Sequence, residues 1–229
     1  MPQSNLESLI GINFKNSAFL QEALTHRSYL NENPKWPYPH NERMEFLGDA
    51  VLELAVTECL YAEYPKEPEG WLTSLRAALV NYQMLARVAR EIDLAKSILL
   101  SRGEAKDGGK AREVILANAL EALIGAIYLD QGYEASSDFI KKFVLIHLET
   151  VLEQELYKDP KSQLQEIVQE KLKITPVYRV LQESGPDHQK IFKVGVYFGD
   201  KLIAEGLGAS KQEAETSAAK SALQAYLNE

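Results

Sequence analysis

An internal disulfide is excluded, because the chain holds one cysteine, Cys59, among 229 residues. A lone thiol suits a reducing compartment, so a cytoplasmic location is expected. Long apolar runs are also missing. No stretch approaches the ~18 apolar residues that cross a bilayer. The start, MPQSNLESLIGINF, has no basic segment ahead of an apolar core, so neither a membrane span nor a secretory leader is expected. The four histidines lack ligand spacing, and without a cysteine pair they make zinc a poor reading. Basic charge is in deficit: 25 Lys/Arg stand against 33 Asp/Glu, a net of −8. Composition alone therefore argues weakly against a nucleic-acid partner. An acidic cluster that holds cations nonetheless draws phosphates to itself.

What is present falls into two parts. Residues 1–154 read as successive helices with apolar residues at three-and-four spacing: SAFLQEALTHRSYL, ERMEFLGDAVLELAVTECLYAEY, GWLTSLRAALVNYQMLARVAREI, REVILANALEALIGAIYLDQG and ASSDFIKKFVLIHLETVLEQEL. Turn-rich separators such as NENPKWPYPHN and SRGEAKDGGKA divide them. A short linker, 155–159, follows. Residues 160–229 then change pattern: a helix (SQLQEIVQEKLK), three alternating runs (PVYRVLQESG, KIFKVGVYFG, KLIAEGLGA) and a last helix (SKQEAETSAAKSALQAYL). The expectation is an all-α domain followed by a small α-β-β-β-α domain. The last 71 residues carry nine Lys/Arg against ten Asp/Glu, a net of −1, so the acidity belongs to the helical part.

Two segments carry the candidate chemistry. In NERMEFLGDAVLELAV, Asn41 is placed to cap a helix from Glu42. Glu42, Glu45 and Asp49 then fall within an arc of about 60°. In ILANALEALIGAIYLD, Asn118 and Glu121 share one face of an apolar helix, one turn apart. A solvated acidic face is the ordinary reading of such a stripe. Against it stand the apolar surroundings and Gly48, which lets another backbone approach beside Asp49. Oxygen donors on two packed helices suit magnesium or manganese, and such a site would act on phosphates.

These segments closely resemble bacterial ribonuclease III. The resemblance extends through LTHRSYLNE, EGWLTSLRAALV, GEAKDGGKAREVILANALEALIGAIYLDQGY and a C-terminal part similar to a double-stranded-RNA-binding domain. It implies a magnesium-dependent endoribonuclease, with manganese as a substitute. Such an enzyme leaves 5′-phosphate and 3′-hydroxyl ends with short 3′ overhangs and serves rRNA and mRNA processing. It acts as a homodimer without a small-molecule cofactor. Glu45, Asp49 and Glu121 match catalytic metal ligands, and Asn118 stands where an aspartate ligand is expected. Glu42 and Glu69 match supporting acidic positions, Glu69 lying just ahead of a helix, so that it could approach the site from a loop. Phe46 matches a position that docks into the partner subunit, although pattern alone would assign it to the core. His26 and Arg27 fit the motif, with a fold-stabilising network at least as good a reading as catalysis.

Duplex RNA hides its base edges, so it is read through shape, phosphates and 2′-hydroxyls. Gln165 and Gln169 offer amides from one helix face. His188 lies in a turn between strands. Ser210, Lys211 and Gln212 open the last helix, where amides and dipole favour a phosphate. Many such domains carry two or three lysines there; this one has Lys211 followed by Gln212, which predicts modest affinity and a shallow salt dependence. The loop RGEAKDGGKARE, with Lys106, Lys110 and Arg112, reads equally as a solvated loop or a phosphate-contacting one. An alternative function follows from Asn118: a duplex-RNA-binding protein with impaired catalysis, since an amide keeps an oxygen but loses the charge.

Overall fold

The computed structural model describes residues 2–106, 108–186 and 190–227. The chain divides into two compact units, Met1–Tyr157 and Lys158–Glu229. In the first, the described residues form nine α-helices: α1 Pro2–Ile10, α2 Ser17–Ala23, α3 Arg27–Glu32, α4 Glu42–Glu63, α5 Glu69–Val80, α6 Tyr82–Glu91, α7 Gly109–Gln131, α8 Tyr133–Phe143 and α9 Leu148–Glu153. Helix α7 is the centre of the unit. Leu116, Ala117, Ala119, Leu120, Leu123, Ile124 and Ile127 are all buried in its core. A helix apolar around most of its circumference is the pattern of one surrounded by others.

Three predicted helices are interrupted, each for a local reason. The first breaks at Leu24–His26. There Leu99 N–H donates to the Leu24 carbonyl at 2.8 Å and His26 N–H to the Leu99 carbonyl at 3.1 Å, a short parallel bridge. His26 then caps α3, its ring nitrogen accepting from Ser28 N–H at 3.2 Å. The second breaks at Asn81, which is extended (φ −69°, ψ 157°) and caps α6 by accepting from Met84 N–H at 2.9 Å. The third passes through a 3-10 turn, Leu145–His147, between α8 and α9. Periodicity continues across each break because both pieces bury apolar residues. Helix α1 had no counterpart among the predicted helices; its Leu6 and Ile10, four apart, are buried.

Asn41 takes the cap position of α4 but does not cap with its side chain. Its backbone is helical (φ −77°, ψ −7°), and its amide instead donates to the Ala23 carbonyl at 3.3 Å. Asn41 N–H donates to the Thr25 carbonyl at 2.9 Å. Trp36 Nε1 donates to Thr25 Oγ1 at 3.1 Å. Both Asn41 and Thr25 are buried, so this network fixes where the acidic helix starts.

The second unit runs α10 Pro160–Leu172, β1 Val177–Ser184, β2 Ile191–Phe198, β3 Lys201–Gly208 and α11 Lys211–Leu227. The sheet is antiparallel in the order β1-β2-β3. Asp159 caps α10 by accepting from Ser162 N–H at 2.9 Å, ahead of Pro160 in the first turn. Leu164, Val168, Val196, Ala218, Ala219 and Ala222 form the core between helices and sheet. The α-β-β-β-α order is the predicted one.

Candidate active site

Helices α4 and α7 cross with their backbones in contact. A Cβ on Gly48 would lie 1.8 Å from the Glu121 carbonyl oxygen, and one on Gly125 would lie 2.4 Å from the Met44 carbonyl oxygen. Neither position tolerates a side chain without moving a helix. Glu45 and Asp49 flank Gly48 on α4, and Asn118 and Glu121 precede Gly125 on α7. The close crossing therefore brings these four side chains together. Gly48 was anticipated as a place of close approach. Gly125 was not, since one glycine among the small residues of α7 carries no separate signal.

The carboxylates raise one another's affinity for protons. Burial, then Asp49 and Glu45, push the Glu121 carboxyl up to about 8. Burial raises Glu45, reinforced by Glu42 and Asp49 and opposed by a hydrogen bond from the Asn118 side chain. Burial and then Glu53 raise Asp49. Glu42 stands at the edge of the group, 3.5 Å from Arg27 and 3.7 Å from His40. His26 is held low mainly by burial and serves as the cap of α3.

Glu69 is not part of this cluster within one chain. It is the first residue of α5 and lines a cleft of about 470 Å³ with Thr57, Leu60, Tyr61, Leu72 and Arg76. Tyr61 lies 16 residues beyond Glu45 on α4, about 24 Å along the helix. The expected loop position of Glu69 is corrected: it lies in the first turn of α5, away from Glu45 within one chain. Phe46 is not a core residue either: it is 80% exposed, and Leu54 and Tyr61 on the same helix are 51% and 75% exposed. Arg112, named for its loop, turns inward and donates to the Ala95 carbonyl at 3.4 Å.

In the second unit, Gln165 and Gln169 are exposed on α10. Gln169 donates to Thr175 Oγ1 at 3.2 Å. Lys211 and Gln212 are exposed in the first turn of α11. Ser210 precedes that helix and accepts from Glu213 N–H at 3.2 Å, so its hydroxyl is engaged in capping. His188 lies outside the described residues.

The family description Ribonuclease-III-like matches residues 16–148, and Double-stranded RNA binding motif matches residues 160–226. The chain belongs to the ribonuclease III family. A protein of Carboxydothermus hydrogenoformans named Ribonuclease 3 is 47% identical over 225 residues, covering 98% of this chain and 96% of the relative. One of Dehalococcoides mccartyi with the same name is 45% identical, covering 98% and 95%. The solved nuclease domain of Campylobacter jejuni ribonuclease III is 44% identical, covers 61% of this chain and 94% of that one, and aligns with a TM-score of 0.56.

Membership of the ribonuclease III family makes the chain an endoribonuclease, with a duplex-RNA-binding unit at its C-terminus. The reading as a binding protein with impaired catalysis is not favoured. A divalent metal cofactor comes with the family, and the donors fit one. They are all oxygen, and burial first, then neighbouring carboxylates, raises the proton affinity of Glu45, Asp49 and Glu121, which a cation would offset. Among the described residues, no group of three or more His, Cys, Asp or Glu is placed to hold one ion. Glu45, Asp49 and Glu121 would close on a cation by rotation of their side chains, the crossing itself staying fixed.

Proposed function

We propose that the α4–α7 crossing is the cleavage site and that it hydrolyses phosphodiesters of duplex RNA with magnesium, manganese substituting. The observation that carries this is the half-buried Glu121 carboxyl, pushed up to about 8 beside Glu45 and Asp49. At neutral pH such a group is mostly protonated unless a cation joins it. Glu45, Asp49 and Glu121 would hold the ion, with the Asn118 oxygen as a neutral fourth donor. A bound magnesium would stabilise charge on the phosphate and supply a nucleophilic water at neutral pH. By holding the ion, these side chains would set where the phosphate lies for in-line displacement, leaving 5′-phosphate and 3′-hydroxyl ends with short 3′ overhangs. The physiological setting is cytoplasmic processing of rRNA and mRNA.

The active form is a homodimer. Phe46, Ala50, Leu54, Thr57 and Tyr61 follow one another at four, four, three and four residues, a single exposed stripe along α4. A two-fold axis beside Leu54 lays this stripe on its copy, antiparallel. Phe46 then meets the partner's Tyr61 and the cleft that Glu69 lines. Glu69 thus serves the partner's acidic cluster rather than its own. The Campylobacter jejuni nuclease domain, for its part, has a region involved in dimer formation. Two clusters in one assembly cut the two strands.

Gln165, Gln169, His188, Lys211 and Gln212 face the RNA, with Ser210 holding the helix start that carries the last two. The test of this function is end analysis of products from a labelled duplex. Paired nicks with 5′-phosphates and staggered 3′ ends support it; 5′-hydroxyl ends contradict it.

A further inference from the structure

Strand β1 and the start of α11 meet at one carboxylate. Glu183 lies opposite Phe192 in the β1–β2 register. By alternation it shares the sheet face of the buried Val194 and Val196, the face that α11 covers. Lys190 Nζ lies 3.3 Å from Glu183 Oε2, and Lys211 Nζ lies 3.4 Å from Glu183 Oε1. Lys211 also stands over the Phe192 ring at 5.6 Å. Lys190 precedes β2 and Lys211 opens α11, so two lysines from different elements share the two oxygens of one acid. The donations from Lys190 and Lys211 hold the Glu183 carboxyl below its usual range. At the same helix start, Glu213 accepts from Ala209 N–H at 3.1 Å, so a second acid occupies a backbone donor there.

A carboxylate between two ammonium groups has the charge and the paired oxygens of a bound phosphate. We propose that Glu183 is a built-in competitor of duplex RNA. Its carboxylate occupies, between Lys190 and Lys211, the place of one RNA phosphate, and Lys190 joins Lys211 as a phosphate-binding residue. The proposal rests on the reading that the start of α11 faces the RNA. An exposed ion pair is weak in itself, so an arriving phosphate displaces the acid. The cost appears in the salt dependence. While the displaced carboxylate stays beside the lysines it offsets part of their charge, fewer of the cations condensed on the RNA are released, and the slope of affinity against salt is flattened accordingly.

The test is equilibrium binding of the full chain to a fluorescent duplex of about 20 base pairs, longer than the ~16 that one such domain spans. It is read by anisotropy in EDTA across a range of potassium chloride concentrations. Glu183→Gln is expected to bind about three- to tenfold tighter at low salt, with a slope steeper by about 1 to 2. Lys211→Ala is expected to bind more weakly than the parent. In a background of Lys190→Ala and Lys211→Ala, adding Glu183→Gln should give no gain. Parental or weaker binding by Glu183→Gln, while Lys211→Ala weakens it, overturns the competitor role alone. Parental binding by Lys211→Ala overturns the placement of RNA at this end, and the competitor with it.

Discussion

Gly48 and Gly125 face each other where α4 crosses α7, so closely that a methyl group on either would collide with the other helix's backbone. This contact, not any hydrogen bond, sets the spacing of the acidic residues. Gly48→Ala or Gly125→Ala should overpack the crossing, lowering Tm by ~5 °C or more. Cleavage should fall further than stability explains, because separating the helices separates Glu121 from Glu45 and Asp49. Thermal unfolding and single-turnover cleavage on the same preparations check this.

The proton affinity of Glu121 predicts how stability varies with pH. Its folded-state value, about 8, lies above the ordinary 4.5. The folded protein therefore holds a proton that the unfolded chain releases between those values. In EDTA, the contribution of this group is fully present below pH ~4.5 and is lost as pH rises through ~8. Tm measured across that window should decline, and Glu121→Gln should flatten the decline. A divalent cation should raise Tm more at pH 8 than at pH 5.5.

Asn118 relieves the cluster that Glu121 strains, since its side chain hydrogen-bonds Glu45. Asn118→Asp removes that donor and adds a charge. Tm in EDTA should fall, and half-maximal cleavage should need several-fold less magnesium. Calorimetric titration with magnesium gives the same comparison without turnover. Equal metal affinity in both forms would show that residue 118 is not a charge-dependent ligand.

The exposed stripe on α4 predicts a subunit exchange result. Phe46→Ala should shift the mass in solution from dimer towards monomer. In heterodimers of wild type with a Glu45→Gln/Glu69→Gln subunit, each cluster lacks one acid if Glu69 serves its partner. Neither strand should then be cut at the wild-type rate. A nick at the full rate in one strand would mean that Glu69 serves its own chain.

Periodicity and turn chemistry made the helical first part, the α-β-β-β-α second part and the acidic stripe on α4 legible in the sequence. The helix breaks at Leu24–His26 and Asn81 were not, because the apolar spacing runs on through them while the backbone turns to meet Leu99 or to cap α6. The exposure of Phe46 was not legible from pattern, since an aromatic residue on an apolar helix reads as core. Glu69 misled for a related reason: its place in the chain says nothing of how far the start of α5 stands from Glu45. Glu183 gave no signal at all, since one acid in a strand acquires meaning only when Lys190 and Lys211 arrive from other elements.

That Glu45, Asp49 and Glu121 form one magnesium-dependent site for duplex RNA is tested most directly by cleavage of a long duplex and of its separated strands, with magnesium and with Glu121→Gln alongside. The parent chain should cut the duplex and not the single strands. Glu121→Gln should lose about a hundredfold or more in rate while binding the same duplex in EDTA as tightly. Undiminished cleavage by Glu121→Gln, or equal cutting of single strands, would contradict it.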